Sequence, residues 1–323
     1  WWVTGKGSKI SKSKGGAEPI PDAIEKYGVD AMRLYYAHIG SPHTDIVWEE
    51  EVVLHYKNAL ERIYTLVESL RELSGKKKMI DAWLESRVHR HLKQIYQAMQ
   101  RYELRELASL TYFTMYDDIR WYVRRGGGNK KLVEEVISIW CALMNPLTPH
   151  LSEELNTSKE LVSVSSWPTA QGSKMNLKAE AAEELVQATM GSIRNVVKLS
   201  KLEKPQKCTL FISEQWKYEL CNMLSKEIKV TRNVGEVMKK VLEQEEMKVR
   251  GKDVSSIVTS VLKDPSKLPM MVLSQEEEAA VLNDAQEFLA KEFSCEVEIT
   301  IAEESQHPKA KLALPGKVGI LVE

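Results

Sequence analysis

Lys9-Ile10-Ser11-Lys12-Ser13-Lys14-Gly15-Gly16, followed after Pro19 and Pro21 by Asp22-Ala23-Ile24-Glu25-Lys26-Tyr27-Gly28-Val29-Asp30-Ala31-Met32-Arg33-Leu34-Tyr35-Tyr36, is the stretch that decides how this chain is read. The first half alternates lysines with serines and ends in glycines, the composition of a flexible cationic loop. An ammonium is a compact point charge suited to phosphate oxygens, and glycine lets the backbone approach closely. No glycine stands five residues before a Gly-Lys-Ser/Thr, so this is not a Walker A loop. Alone, such a run is more often a solvated surface loop; the second half changes that reading. It predicts a helix from about Asp22 to Ala37, with Asp22 as N-cap and a stop near Gly40-Ser41-Pro42.

Together the two halves resemble K-M-S-K-S-K-G-N, a proline-containing stretch, D-A-I-x-x-Y-G-A-D and R-L-Y, the signature of the class Ia aminoacyl-tRNA synthetases. Ile10 stands for the usual Met, and Gly16 for the usual Asn, which removes a turn or cap side chain but keeps the cationic pattern. Asp117-Asp118-Ile119-Arg120-Trp121-Tyr122-Val123-Arg124-Arg125 resembles the D-[LI]-R-W-Y-x-R-R segment of the leucyl subfamily of archaeal and eukaryotic type. Leu143 to Leu155 resembles the P-x-T-P-H-x-x-E-E-L block seen across the class, and Leu314-Pro315 through Glu323 the leucyl P-x-K-P-x-I-x-[IV]-E ending. The resemblance spans nearly the whole chain. It departs after Leu155, where Asn156-Thr157-Ser158 replaces the family's Trp and longer turn.

The resemblance implies a parent reaction that ligates leucine to tRNA(Leu) through leucyl-adenylate, using ATP and Mg²⁺. Lys12 is implied as the catalytic cation that steadies the ATP phosphates where charge develops. Lys9, Ser11, Ser13 and Lys14 complete the implied ATP site. Ala37-His38-Ile39-Gly40 is superficially similar to the family's H-I-G-H, but Ser41 replaces the second His and the motif should precede the lysine loop. His38 therefore reads as a helix-end residue. The chain is expected to be a carboxy-terminal part, inactive without an amino-terminal catalytic and editing half.

At 323 residues the chain is long enough for about two domains. Hydrophobic content of 43% with 28% charged residues is that of an ordinary soluble protein. No apolar run approaches the roughly 20 residues of a membrane span, and no signal peptide opens the sequence. Cys141, Cys208, Cys221 and Cys295 are scattered, which predicts buried thiols in the reducing cytoplasm rather than zinc ligands or disulfides. A net charge of -1 does not advertise a nucleic-acid binder. The cations are nevertheless uneven: Lys76, Lys77 and Lys78 form one cluster, and Arg120, Arg124, Arg125, Lys130 and Lys131 another. Acids gather at Glu243, Glu245, Glu246 and at Glu276, Glu277, Glu278. A local basic face holds an RNA backbone even when the total is neutral.

The expected fold is mainly α. By resemblance, residues 1–47 end a Rossmann-type catalytic domain carrying the lysine loop. Residues 48–168 form an anticodon-binding-type helical bundle, and 177–323 a mixed α/β domain for the tRNA variable arm. Val53, Tyr56, Leu60, Ile63, Val67 and Leu70 give one helical stripe; Leu84, Val88, Leu92, Ile95, Met99 and Tyr102 give another. Helices over 104–125 and 132–144 complete the bundle, and 169–176 reads as a polar linker. Beyond it, helices are expected over 179–202, 215–225, 234–244, 254–263 and 275–292. Strands are expected over 208–213, 296–301 and 318–322.

Arg120, Arg124 and Arg125 are expected to splay over one side of a helix end and hold tRNA phosphates, against a plain solvated helix face. Trp121 and Tyr122 are expected in the core. His150, with no carboxylate implied nearby, is expected to be a packed, hydrogen-bonded residue. Lys198, Lys201, Lys204 and Lys207 form a basic strip. Leu321, Val322 and Glu323 resemble the tail that reads the variable-arm tip, or are simply an edge strand. An isoleucyl, valyl or methionyl relative, or a non-catalytic tRNA-binding module, are the alternatives; neither zinc-type cysteine pairs nor a barrel pattern favours the former.

Overall fold

The structure, a computed structural model, describes residues 3–5, 8–9, 19–40, 45–200 and 205–323. The chain divides into two compact units, Trp1–Met175 and Asn176–Glu323. Both are mainly helical, each with a small three-stranded sheet.

In the first unit β1 (Val3–Gly5) lies between antiparallel β2 (Ser8–Lys9) and parallel β3 (Ile46–Val47). The single helix expected over 22–37 is two helices, α1 (Ile20–Tyr27) and α2 (Val29–Ile39). Gly28 parts them at φ 84°, a conformation glycine takes without a Cβ penalty. Pro19 holds the N-cap position, so Asp22 sits inside the first turn, where its charge suits the helix dipole.

The bundle consists of α3 (Glu50–Arg71), α4 (Met79–Gln100), a composite third helix and α7 (Lys130–Met144). The expected α3 stripe is wholly buried. The α4 stripe is buried only to Ile95: Met99 and Tyr102 are exposed, and Tyr102 lies beyond the helix at φ 57°. The third helix runs as α5 (Leu104–Ala108), a π-helical turn Ser109–Thr114, and α6 (Met115–Arg124). Such widenings accommodate inserted contacts. Here the carbonyl of Thr111 accepts the buried Trp140 indole N–H at 2.8 Å, and the Tyr112 hydroxyl donates to Met144 O at 3.0 Å. A short α8 (Pro149–Glu154) follows.

The stretch read as a linker packs on the bundle. Gln171 N–H donates to His89 Nδ1 at 3.2 Å, and Lys174 pairs with Glu135 at 2.6 Å and Glu85 at 3.1 Å.

The second unit opens with α9 (Leu177–Ser200). Its central strand β4 (Lys207–Ile212) is buried on both faces, parallel to β5 (Glu296–Ile301) and antiparallel to β6 (Gly319–Val322). Between β4 and β5 come α10 (Gln215–Glu227), α11 (Val234–Val241), α12 (Glu245–Val249), α13 (Gly251–Lys263) and α14 (Gln275–Phe293). The helix expected to reach Gln244 stops at Val241, and α12 begins afresh. Trp216, Leu220, Leu224, Val237, Val241, Met247, Val254, Val258 and Val261 make an apolar subcore of the first four of these helices. Before β6 lies α15 (Pro308–Lys311). No helix among the described residues is long and apolar enough to cross a membrane.

Candidate nucleic-acid interface

Of the cationic loop, Ser11, Lys12, Ser13 and Lys14 lie outside the described residues, as does the side chain of Lys9; its backbone pairs with Thr4 in the sheet.

The residues after the loop have a describable role. Asp30, 8% exposed in the first turn of α2, places Oδ1 2.9 Å from His150 Nδ1 and accepts the Leu151 N–H on Oδ2 at 2.8 Å. One turn on, Arg33 donates to Leu147 O at 2.9 Å and Pro146 O at 2.7 Å. One motif thus satisfies the open N–H of α8 and the carbonyls of the turn before it, groups that helix ends leave unpaired. His150 does have a carboxylate partner, and its side chain is 73% exposed rather than packed. A separation of 120 residues hid that partner from sequence reasoning.

His38 lies in the last turn of α2, its ring nitrogens 2.7 Å from Tyr56 Oη and 3.0 Å from Ser109 Oγ. Burial, with the Arg105 charge, pushes its pKa down, which favours the neutral ring. It is a joint between α2, α3 and the π turn.

In the arginine block, Asp118 accepts from Arg87 Nε at 2.8 Å and lies 2.7 Å from His91 Nε2, tying α6 to α4. Tyr122 is buried and Trp121 only half-buried. Arg120 and Arg124 are exposed, over the rings of Tyr116 at 5.4 Å and Trp121 at 5.7 Å. Arg125 is only 7% exposed and does not share their face. The reason is helical geometry: residues four apart are neighbours, whereas successive residues diverge by about 100°.

Behind this face two turns are locked together. The Tyr122 hydroxyl donates to Asp81 Oδ1 at 2.8 Å, and Asp81 Oδ2 accepts from Asn129 Nδ2 at 2.9 Å and Lys78 N–H at 3.1 Å. Gly75 N–H donates to Gly128 O at 2.8 Å. Lys76, Lys77, Lys78, Lys130 and Lys131 on these turns are all exposed.

In the second unit β6 is an edge strand of the sheet. Leu321 and Val322 are half-buried and Glu323 exposed. The Glu323 backbone is tied down: its N–H donates to Lys207 O at 2.9 Å and its carbonyl accepts from Gln206 at 2.7 Å. Of the basic strip, Lys207 pairs with Glu298 at 2.8 Å, and Lys201 and Lys204 lie outside the described residues.

The turn feeding β6 is held from beneath by groups the sequence reading missed. Lys217, buried in α10, donates to Lys311 O at 2.8 Å and Ala313 O at 3.0 Å; burial lowers its pKa. Glu278 belongs to one of the acidic runs noted in the sequence, and it is 1% exposed. It accepts the Tyr218 hydroxyl and the Gly316 N–H, each at 2.6 Å, and burial pushes its pKa up to about 6. Its phase was the available signal, since Glu278 shares the helical stripe of Val281, Leu282, Ala285 and Leu289. The cysteines are free thiols, all buried but the half-buried Cys295. Among the described residues no group of three or more His, Cys, Asp or Glu is gathered that would hold a metal.

Residues 81–212 match the family described as the anticodon-binding domain of tRNA ligase. Along its whole length the chain is similar to archaeal leucine–tRNA ligases. It is 30% identical to that of Methanococcus aeolicus, with 100% of this chain and 33% of the relative covered. For Methanocaldococcus jannaschii the values are 32%, 100% and 34%, and for Pyrococcus furiosus 29%, 98% and 33%. The chain is a homologue of the leucine–tRNA ligases and spans about a third of the length of the curated relatives it matches. A crystal structure of the ternary complex of Agrobacterium radiobacter K84 agnB2 LeuRS, tRNA and LeuAMS aligns at a TM-score of 0.48 and 20% identity, covering 54% of this chain and 24% of that one.

Proposed function

We propose that this chain serves a cytoplasmic leucine–tRNA ligase, which joins leucine to tRNA(Leu) through leucyl-adenylate with ATP. The observation that carries this reading is similarity to leucine–tRNA ligases along the entire chain. Residues 1–47 close a Rossmann-type catalytic domain, and Lys12 steadies the triphosphate as leucine attacks the α-phosphate and pyrophosphate leaves. Lys9, Ser11, Ser13 and Lys14 supply ammonium and hydroxyl donors of the kind a polyphosphate takes, with Mg²⁺ accompanying the nucleotide. The bundle holds the tRNA backbone through Arg120 and Arg124, which are exposed, while buried Arg125 is left to packing. Leu321, Val322 and Glu323 read the tip of the variable arm.

The test is binding of this chain to leucine tRNA, to the same tRNA with its variable arm shortened, and to a serine tRNA. Loss of affinity on shortening, with the serine tRNA rejected, is the expected result. Equal binding to all three would overturn the role given to the terminal strand. The chain by itself is expected to show no ATP–pyrophosphate exchange, and detectable exchange would contradict the need for a separate catalytic half.

A further inference from the structure

Lysines 76–78 and 130–131 are some fifty residues apart in sequence, yet the structure makes them neighbours. The Gly75–Gly128 hydrogen bond and a bridge between Gly75 and Asn129 set the two turns side by side. Lys78 Nζ lies 3.1 Å from the point a Cβ on Gly126 would occupy, so its side chain crosses from one turn to the other. Lys130 has only a 3.9 Å pairing with Glu134, and Lys76, Lys77, Lys78 and Lys131 have no ion pair among the described residues. Exposed Arg124 ends the helix leading into the second turn.

The placement also breaks a local rule. Lys76–Lys78 precede α4, and Lys130 and Lys131 open α7, so both groups stand at helix N-termini. There the helix dipole is already positive and cations are disfavoured. The first turn of α7 carries no acid, and the one acid in that of α4, Asp81, is buried in the knot beneath. Two positive helix ends and five lysines therefore reinforce one another on a rigid base. Sequences keep such conflicts where function needs them.

We propose that these paired turns form a platform for an RNA phosphodiester backbone, a contact separate from the terminal strand. It rests on the reading of the chain as an RNA binder, not on its preference for leucine tRNA. Lysine ammoniums on rigid turns suit phosphates along a strand without base selectivity. The Asp81–Tyr122–Asn129 knot positions them.

The experiment compares the wild-type chain with Lys76→Gln/Lys77→Gln/Lys131→Gln, using two probes across a salt series: leucine tRNA and a plain RNA hairpin. A control, Lys226→Gln/Lys229→Gln/Lys239→Gln, removes the same charge from exposed positions in the second unit. The platform variant is expected to bind the hairpin about tenfold more weakly at low salt, with the slope of log affinity on log salt reduced by about two to three. The control should keep the wild-type slope. A platform variant indistinguishable from wild type, equal losses in both variants, or no hairpin binding by wild type would each overturn the platform. Hairpin binding that depends on these lysines, without preference for leucine tRNA, would instead support the platform and overturn only the tRNA(Leu) reading.

Discussion

A buried tyrosine–carboxylate pair underlies each part of the molecule to which RNA contact is assigned, and the two pairs are built differently. In the first unit Asp81 takes three donors, the Tyr122 hydroxyl, Asn129 Nδ2 and Lys78 N–H, and so ties two turns together. In the second, Glu278 takes two, the Tyr218 hydroxyl and Gly316 N–H. Those two bonds do not offset burial, and the carboxyl stays partly protonated near pH 6. The first knot holds a surface of exposed lysines. The second holds the entrance to an edge strand and brings its own pH dependence.

The strongest way to break the comparison is to add one methyl group to each region. A Cβ on Gly127 would lie 2.3 Å from the Tyr122 ring, and one on Gly319 would lie 2.4 Å from the Lys309 carbonyl oxygen. Neither neighbour has room to yield, since Tyr122 is fully buried and Lys309 O is backbone. Gly127→Ala and Gly319→Ala should each cost about 3 kcal/mol, the upper range for overpacking. Hydrogen exchange should report the loss in α4 amides for the first variant and in β4 amides for the second. Loosening of the other unit in either case would show that the two knots are not independent.

The bundle was legible because its signal is periodic: the α3 stripe from Val53 to Leu70 is buried as read. The cationic clusters were legible as composition. What periodicity does not carry is pairing across sequence. Asp30 with His150, and Gly75 with Gly128, join distant turns that no window of the sequence contains. Adjacency misled at Arg124 and Arg125, where one helical step sends one side chain outward and the other inward. Composition alone did not set Glu278 apart from Glu276 and Glu277, although it is in phase with the apolar stripe. Gly28 was visible, but only its φ of 84° shows that it divides a helix.

A smaller effect sharpens the contrast by pH. Glu278 is raised from 4.5 to about 6 in the folded state, so the unfolded chain ionises first as pH rises. The sign follows: the folded state incurs no penalty below about pH 4.5, a growing one up to pH 6, and a constant one of about 2 kcal/mol above. Glu278→Gln keeps an acceptor for Gly316 and a donor for the rotatable Tyr218 hydroxyl. It should therefore match wild type at pH 4 and exceed it by up to about 2 kcal/mol at pH 7.5. Denaturant titrations at both pH values decide this. A variant weaker by the same amount at both would mean that Glu278 is needed as an anion.

The smallest effect bears on the lysine turns. Lys131 opposes the positive end of α7, and replacing it by glutamine should raise the stability of the first unit by about 0.5 kcal/mol at low salt. The gain should fade as salt screens the dipole. The same substitution is expected to weaken hairpin RNA binding, so stability and affinity should move in opposite directions across the salt series. That opposition separates a functional lysine from a decorative one. A surface lysine with no ligand would yield the stability gain with affinity unchanged, and a lysine that merely braces the turn would lose both. Only a cation kept at the wrong end of a helix for the sake of an anion gains one and loses the other.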